Sequence, residues 1–329
     1  MKLKRTVLVT GGAGYIGSVT SKLLLEQGYQ VVIVDNLSTG KKFAIPNQAE
    51  FINGDIGDKV LLKKIFNNYH FDCIVHFAAF IQVAESVKNP KKYFQNNVVA
   101  GLNLLETMIN HSKCRRFIYS SSAAVYGSPS KVPIDEQALL NPINPYGQTK
   151  KIFEMILKQY ADAGLVDYVA LRYFNAAGAY ITKDGAWGEN HEPETHLIPL
   201  ILRSIKTQKL FTIYGDNYPT KDGTCIRDYI HIYDIAQAHV LALQKNFIGA
   251  NIYNVGVGHG YSNKEVLETA QNVTGYKINY KIGKRRAGDP PILIASNKKI
   301  QRELGFRPVK SDLKTIIQDA WEYCVHYQQ

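Results

Sequence analysis

The sequence predicts an α/β fold: a doubly wound parallel sheet followed by a smaller mixed α/β region. Three observations carry that prediction. Short β-branched runs alternate with helical stretches through the first half of the chain. The runs are apolar throughout and not at every second residue, as expected of strands covered on both faces. A glycine-rich turn joins the first run to the first helix, the signature of a strand-helix-strand unit.

Taken in order, Thr6-Val7-Leu8-Val9-Thr10 is the first strand and Gly11 to Gly14 the turn. A helical pattern runs from Tyr15 to Gln27 and stops at Gly28, a residue that accepts the left-handed conformation of a helix end. Val31 to Val34 is a buried second strand ending at Asp35. The rhythm continues through Phe51 to Asn53, Cys73 to Phe77, Arg116 to Ser120 and Tyr168 to Arg172, with helices expected over Tyr93–His111 and Pro145–Ala163. After Asn175 the texture changes to a loop rich in Gly, Glu and His from Gly178 to Thr195, then to scattered prolines. This divides the chain into a sheet domain over 1–175 and a second domain over 176–329, with Ile252 to Val255 able to return to the first sheet.

The chain has 329 residues, 45% hydrophobic and 20% charged, enough for a large core and far from the composition of disorder. No run of 18 apolar residues offers a membrane span, and the apolar run after the basic start breaks at Gly11-Gly12 without a cleavage site. A cytoplasmic protein is expected. The four cysteines, Cys73, Cys114, Cys225 and Cys324, lack metal or disulfide spacing and read as reduced thiols, and no metal is expected. The formal charge of +11 allows nucleic acid, a membrane surface or small anionic ligands as partners. Its lysine pairs are dispersed, with no basic stripe interleaved with aromatics, which speaks against nucleic acid.

Gly12-Ala13-Gly14-Tyr15-Ile16-Gly17 fits GxGxxG between a predicted strand and a predicted helix. Such glycines let the backbone approach a pyrophosphate, whose charge meets the positive end of the helix. Asp35 lies 18 residues past Gly17 at the end of the next strand, where a carboxylate takes a ribose hydroxyl and would repel the extra phosphate of NADP. The expected cofactor is NAD, on a Rossmann-like domain.

In Asn144-Pro145-Tyr146-Gly147-Gln148-Thr149-Lys150, Asn caps the helix, Pro opens it, and Tyr146 and Lys150 share a face one turn apart. A phenol acting as a base near neutrality needs its pKa lowered by about 3 units from about 10, roughly 4 kcal/mol. A nearby ammonium, the helix start and a cationic nicotinamide ring can each contribute. Ser120-Ser121-Ser122 follows a strand, so its hydroxyls emerge at the carboxyl edge of the sheet, where open α/β sheets bind ligands. Ser122 is placed to relay a proton to Tyr146.

These motifs resemble the extended short-chain dehydrogenase/reductase family, and within it the nucleotide-sugar 4-epimerases. The resemblance runs almost the whole length and is most specific in Asp222-Gly223-Thr224, Arg227-Asp228-Tyr229-Ile230-His231 and Arg285-Arg286-Ala287-Gly288-Asp289-Pro290. It implies interconversion of UDP-galactose and UDP-glucose through transient oxidation at carbon 4 by tightly bound NAD. It implies Ser122, Tyr146 and Lys150 as catalytic residues, which also touch cofactor, and the first two substrate. The same resemblance assigns Gly11, Gly14, Tyr15, Ile16, Gly17, Asp35, Asn36, Leu37, Ser38, Thr39, Gly40, Asp55 and Ile56 to the NAD site. Phe77, Ala78, Ala79, Phe80, Ile81, Asn96 and Phe174 complete that set. Asn175, His196, Leu197, Thr212, Ile213, Tyr214, Arg227, Arg286, Asp289 and Leu293 would hold the UDP-sugar. The arginines suit a diphosphate, Tyr214 can stack on uracil, and Asp289 can take ribose hydroxyls.

Three departures from the family pattern bear on this assignment. Ile81 replaces a frequent lysine beside the cofactor, and His196 stands where some members carry Asn. Leu293 occupies a gate position that is a bulky Tyr in members restricted to plain hexoses, leaving room for an N-acetyl group. The rivals are a UDP-pentose epimerase, a dehydratase and a non-catalytic NAD or UDP-sugar sensor. Ala123-Ala124 stand where a dehydratase carries an acidic pair, and an intact Ser-Tyr-Lys set has no purpose in a sensor. The resemblance also implies a homodimer joined through the helices Tyr93–His111 and Pro145–Ala163.

Overall fold

A computed structural model describes residues 5–286 and 289–328; Ala287 and Gly288 of the arginine-rich motif lie outside the described residues. In chain order the first half reads β1 (Thr6–Thr10), α1 (Tyr15–Glu26), β2 (Gln30–Asp35), β3 (Glu50–Asn53), α2 (Lys59–Asn68), β4 (Cys73–His76), α3 (Val83–Lys88), α4 (Pro90–Phe94), α5 (Gly101–His111), β5 (Arg116–Ser122), α6 (Pro145–Asp162) and β6 (Asp167–Tyr173). The second half reads β7 (Asn175–Ala177), β8 (Ala179–Thr182), β9 (Gly185–Gly188), α7 (Leu197–Thr207), β10 (Phe211–Tyr214), β11 (Ile226–Arg227), β12 (Tyr229–His231) and α8 (Ile232–Gln244). It closes with β13 (Ala250–Val255), β14 (Tyr261–Ser262), α9 (Asn263–Thr274), β15 (Tyr280–Gly283), β16 (Ile292–Leu293), α10 (Lys298–Leu304) and α11 (Leu313–His326).

The chain divides into two units. The first comprises residues 1–127, 140–172 and 236–253, and the second 128–139, 173–235 and 254–329. The sheet of the first unit has the order β13-β6-β5-β4-β1-β2-β3. β1 pairs in parallel with both β2 and β4, so the winding direction reverses at β1, and the carboxyl ends of β1 and β4 flank the switch point. The central strands β1, β2 and β4 are buried almost throughout because helices cover both faces. Leu8, Ile74, Phe117 and Phe153 are fully buried in its core with Leu104 and Met108. Burying side chains of this size contributes about 1.5–3 kcal/mol each.

The second unit has small sheets (β10 with β15, β14-β11-β16, β12 with β7, β8 with β9) around a core of Ile198, Ile201, Phe211, Leu267 and Ile316. Among the described residues no helix is long and apolar enough to cross a membrane. All four cysteines are free and buried.

Two elements differ from the sequence expectation. The stretch 178–195 is not one loop but holds the hairpin of β8 and β9, paired from Ala179↔Gly188 to Thr182↔Gly185, with Tyr180 stacked on Trp187. The Asp184-Gly185 pair was the available turn signal. The helix expected from Tyr93 begins at Pro90, capped by Asn89, and passes through a wider π-helical stretch, Gln95–Ala100, before α5. The same Asn-Pro start recurs at α6, where the Asn144 side chain accepts the Gly147 N–H at 2.8 Å.

Candidate active site

The first unit gathers at its switch point the loops that follow β1, β2, β3, β4 and β5. Gly11 has φ +73°, and a Cβ there would sit 2.5 Å from the Ala78 nitrogen, so the turns after β1 and β4 touch only because residue 11 has no side chain. At Gly17 a Cβ would sit 2.2 Å from the Gly11 oxygen, which lets α1 start directly under the turn. Gly14 differs: a Cβ there would meet only the Gly11 oxygen, at 3.3 Å, and otherwise open space. Gly14 is also the cap of α1, with no side-chain cap bond and no acidic residue in the first turn. An uncrowded glycine at an uncapped helix start is the cradle a pyrophosphate requires. Tyr15, Ile16 and Gly17 open that helix.

Asp35 ends β2, is buried, and accepts the Ala13 N–H at 3.0 Å on Oδ2 and the Leu37 N–H at 2.8 Å on Oδ1. Burial raises its pKa and these two N–H groups oppose the rise. Each oxygen keeps a lone pair for a hydroxyl donor. The next residues form a tight loop: Leu37 adopts φ +57°, Asn36 Oδ1 accepts the Ser38 N–H at 3.0 Å, and Lys41 N–H bonds Ala13 O at 2.9 Å. That fold brings Thr39 and Gly40 back over the glycine turn; a Cβ at Gly40 would lie 2.9 Å from the Ala13 Cβ. Asp55 beyond β3 accepts the Asn36 amide at 2.8 Å, and its neighbour Ile56 is buried.

After β4 come Phe77, Ala78, Ala79, Phe80 and Ile81. The Phe77 ring lies 4.7 Å from that of His239, and the Phe80 backbone is clamped at N–H and C=O by Asn97, each at 2.9 Å. Asn96 stands in the π-helical stretch beside that clamp, its amide 2.9 Å from the Asn97 side-chain oxygen. A carboxylate at the strand end, an open glycine cradle and an uncharged shelf of small and aromatic residues together suit a dinucleotide.

Ser122 is the last residue of β5 and Tyr146 the second of α6. The Ser122 hydroxyl accepts the Ala124 N–H at 3.1 Å and lies close enough to the Tyr146 phenol to lower its pKa. Lys150 is buried, donates to the Ser120 carbonyl at 2.6 Å, and lies 5.9 Å from the Tyr146 ring centre. The three residues that the sequence singled out therefore converge. Their electrostatics differ from the expectation in one respect: burial raises the Tyr146 pKa, and the Ser122 hydroxyl opposes this without reversing it. The cause is the phenol's own burial; burial likewise lowers Lys150, to about 7, against a smaller upward pull from Glu154. Near neutrality that amine is only partly charged and turned to Ser120.

Behind this trio stands a network that sequence reasoning missed. Glu154 faces Arg172 at 2.5 Å, Arg172 donates to the Tyr126 hydroxyl at 2.9 Å, and Ser121 donates to Glu154. Glu154 lies one turn beyond Lys150 on the same helix face, a spacing that could have revealed it.

The remaining expected residues lie in the second unit. Phe174 and Asn175 follow β6, and the Asn175 amide donates to the Asp228 carbonyl at 3.0 Å. Thr212, Ile213 and Tyr214 form β10; Tyr214 is exposed, and the Arg286 guanidinium lies 4.4 Å above its ring. Arg227 is paired with Asp289, and Leu293 pairs in register with Arg227 across β11 and β16. Arg227 with Asp289 and Arg286 with Tyr214 thus form two pairs, joined through the Asp289 N–H, which bonds the Arg286 carbonyl at 3.3 Å. His196 caps α7 just before Leu197, but its Nδ1 points at Glu194 Oε1, 2.8 Å away.

The sequence signature of the NAD dependent epimerase/dehydratase family matches residues 7–256. The chain is 47% identical to a UDP-glucose 4-epimerase of Lactobacillus helveticus over 96% of each chain. Its structure resembles that of UDP-glucose 4-epimerase from Brucella ovis in complex with NAD, with a TM-score of 0.92, 46% identity, and coverage of 97% of this chain and 98% of that one. It also resembles the Bifidobacterium longum UDP-glucose 4-epimerase in complex with NAD+ and UDP, with a TM-score of 0.91, 35% identity, and coverage of 97% and 98%. The chain belongs to the NAD dependent epimerase/dehydratase family, in the group that its UDP-glucose 4-epimerase relatives form.

Proposed function

We propose that the protein interconverts UDP-galactose and UDP-glucose, using NAD held on the first unit. The observation that carries this reading is the convergence of Ser122 at the end of β5 with Tyr146 and buried Lys150 on the first turns of α6, at the sheet edge that also bears the open glycine cradle and Asp35. NAD, when bound, supplies the acceptor and donor of hydride at carbon 4 of the sugar. The chain's residues handle the proton. Tyr146 takes it from the 4-hydroxyl, directly or through Ser122, and later returns it. Lys150, fixed by the Ser120 carbonyl, stabilises the phenolate when protonated. Asp35 holds an adenosine ribose hydroxyl, and Gly14 with the start of α1 takes the pyrophosphate.

In the second unit, Tyr214 offers a ring face to uracil, Arg227 and Arg286 meet the diphosphate, and Asp289 takes ribose hydroxyls. Anchoring the substrate by its nucleotide leaves the hexose free to present either face. The leucine at position 293 supports N-acetylated UDP-hexosamines as further substrates, since it is smaller than the tyrosine that restricts some relatives. Ala123-Ala124 supply no carboxylic acid to expel a hydroxyl, so the dehydratase alternative is not retained. We further propose a homodimer through the segment 93–111 and α6, on which Val99 and Met155 are 44% and 56% exposed while Leu105 and Met108 serve the chain's own core.

The test is incubation with UDP-galactose, and separately with UDP-N-acetylgalactosamine, without added NAD, with chromatographic resolution of the products. Conversion at carbon 4 is expected from the protein as purified; release of a dehydrated or oxidised sugar would overturn the reading. Light scattering giving the mass of one chain would overturn the dimer.

A further inference from the structure

Between β9 and α7 the chain twice repeats the step Glu-x-His, at Glu189-Asn190-His191 and Glu194-Thr195-His196. In each step the carboxylate Oε1 accepts the backbone N–H of its histidine, at 3.0 Å for His191 and 2.7 Å for His196, and faces the Nδ1 of the same ring. His196 Nδ1 lies 2.8 Å from Glu194 Oε1 and 3.6 Å from Glu189 Oε2, so one imidazole nitrogen stands against two carboxylates. One candidate donor atom from each of Glu189, Glu194 and His196 falls within 4.8 Å of the others.

The independent observation is the other oxygen of Glu194. That residue is 8% exposed, and its Oε2 is buried with no hydrogen-bond partner among the described residues. A buried carboxylate oxygen without a donor is costly, and structures rarely keep one without a use for it. Here a second buried carboxylate, Glu189, lies alongside, and a divalent cation would balance both.

We propose that Glu189, Glu194 and His196 bind a divalent transition-metal ion of the zinc class, with His191 orienting Glu189. An imidazole nitrogen with two carboxylates suits zinc; calcium and magnesium prefer all-oxygen sets. Binding exchanges the Nδ1 proton of His196 for the metal and gives Glu194 Oε2 its missing partner. The ion would pin the eight residues 189–196 between β9 and the first turn of α7. None of the three ligands carries the proton or the hydride, although His196 also stands among the residues expected to hold the UDP-sugar.

The experiment uses the full chain stripped with chelator, then dialysed against micromolar zinc chloride and, separately, against magnesium chloride, with bound metal counted by mass spectrometry. One zinc per chain is expected, with binding weakened at least tenfold in Glu194→Gln and in His196→Asn. His111→Asn, on an exposed histidine far along the chain, should leave it unchanged. Equal zinc binding by the parent and His196→Asn would overturn the site, as would magnesium binding as tightly as zinc. Should the variants fail to fold, cobalt(II) added to the parent decides: visible d–d absorption bands that zinc abolishes support the site, and their absence overturns it.

Discussion

Replacing Glu154 by Gln tests whether the buried pair behind Ser122, Tyr146 and Lys150 holds them in place. Glu154 and Arg172 side chains are 4% and 2% exposed, and Arg172 contacts the carboxylate through Nε at 3.0 Å and Nη2 at 2.5 Å. Glu154→Gln leaves a guanidinium buried opposite a neutral amide. Breaking a buried pair from one side costs about 3–5 kcal/mol, and because the amide oxygen still accepts one bond the lower end, about 3 kcal/mol, is expected. Urea unfolding followed by circular dichroism would report this as a lower midpoint at unchanged slope. The double variant Glu154→Leu with Arg172→Met keeps the volume, removes both charges, and should recover most of the loss. A single-variant loss below about 1 kcal/mol, or a double variant as unstable as the summed singles, would refute the reasoning. The single variant should also lower kcat, since Glu154 and Ser121 tie α6 to the end of β5 from which Ser122 projects.

Tyr146→Phe should lower kcat by about 10²–10⁴, the usual worth of a positioned acid-base group, while nucleotide binding measured by calorimetry stays intact; near-normal turnover would remove Tyr146 from the mechanism. Gly17→Ala places a Cβ against the Gly11 oxygen, so the variant should lose both stability and retained NAD, read by melting and by absorbance of the released cofactor. Lys150 is held at about 7 by burial against 10.5 in an open chain, so its favourable contribution is complete above about 10.5 and is lost as pH falls through 7. Lys150→Met should therefore be more stable than the parent near pH 7, by up to about 4–5 kcal/mol, with the gap closing by about 1.4 kcal/mol per pH unit towards 10. Paired urea unfolding at pH 7, 8 and 9 would show it, and a gap independent of pH would contradict it.

The sheet was legible because its central strands β1, β2 and β4 are short, mostly apolar runs, and because covering helices leave them no polar face to blur the pattern. Asn144-Pro145 announced its helix, and Ser122, Tyr146 and Lys150 meet because a strand end and a helix start are fixed places. Other features carried no local signal. Residues 128–139 depart to the second unit while their neighbours stay in the first, and their Ser- and Pro-rich start marks a loop without telling which unit it joins. The phenol pKa could not be read from a four-residue spacing. It depends on how deeply the Tyr146 phenol itself is buried and on the Ser122 hydroxyl beside it, both long-range outcomes. Glu154 had a signal in its spacing from Lys150 but an ambiguous one, since an acid one turn past a lysine is ordinary on any helix surface and unusual only once buried.

The first unit is assembled from three stretches of chain, the last ending at residue 253, and this gives it a timetable. At about 5–20 residues per second on the ribosome, some tens of seconds separate the emergence of β1 from that of β13. Until β13 arrives, β6 is an open sheet edge with unpaired backbone groups, the kind of strand that recruits a neighbouring chain. Meanwhile residues 173–235 emerge and can begin to form the second unit. The strand that closes the sheet is therefore among the last parts of the first unit to be made, and the nascent chain depends on whatever shields β6 during that interval.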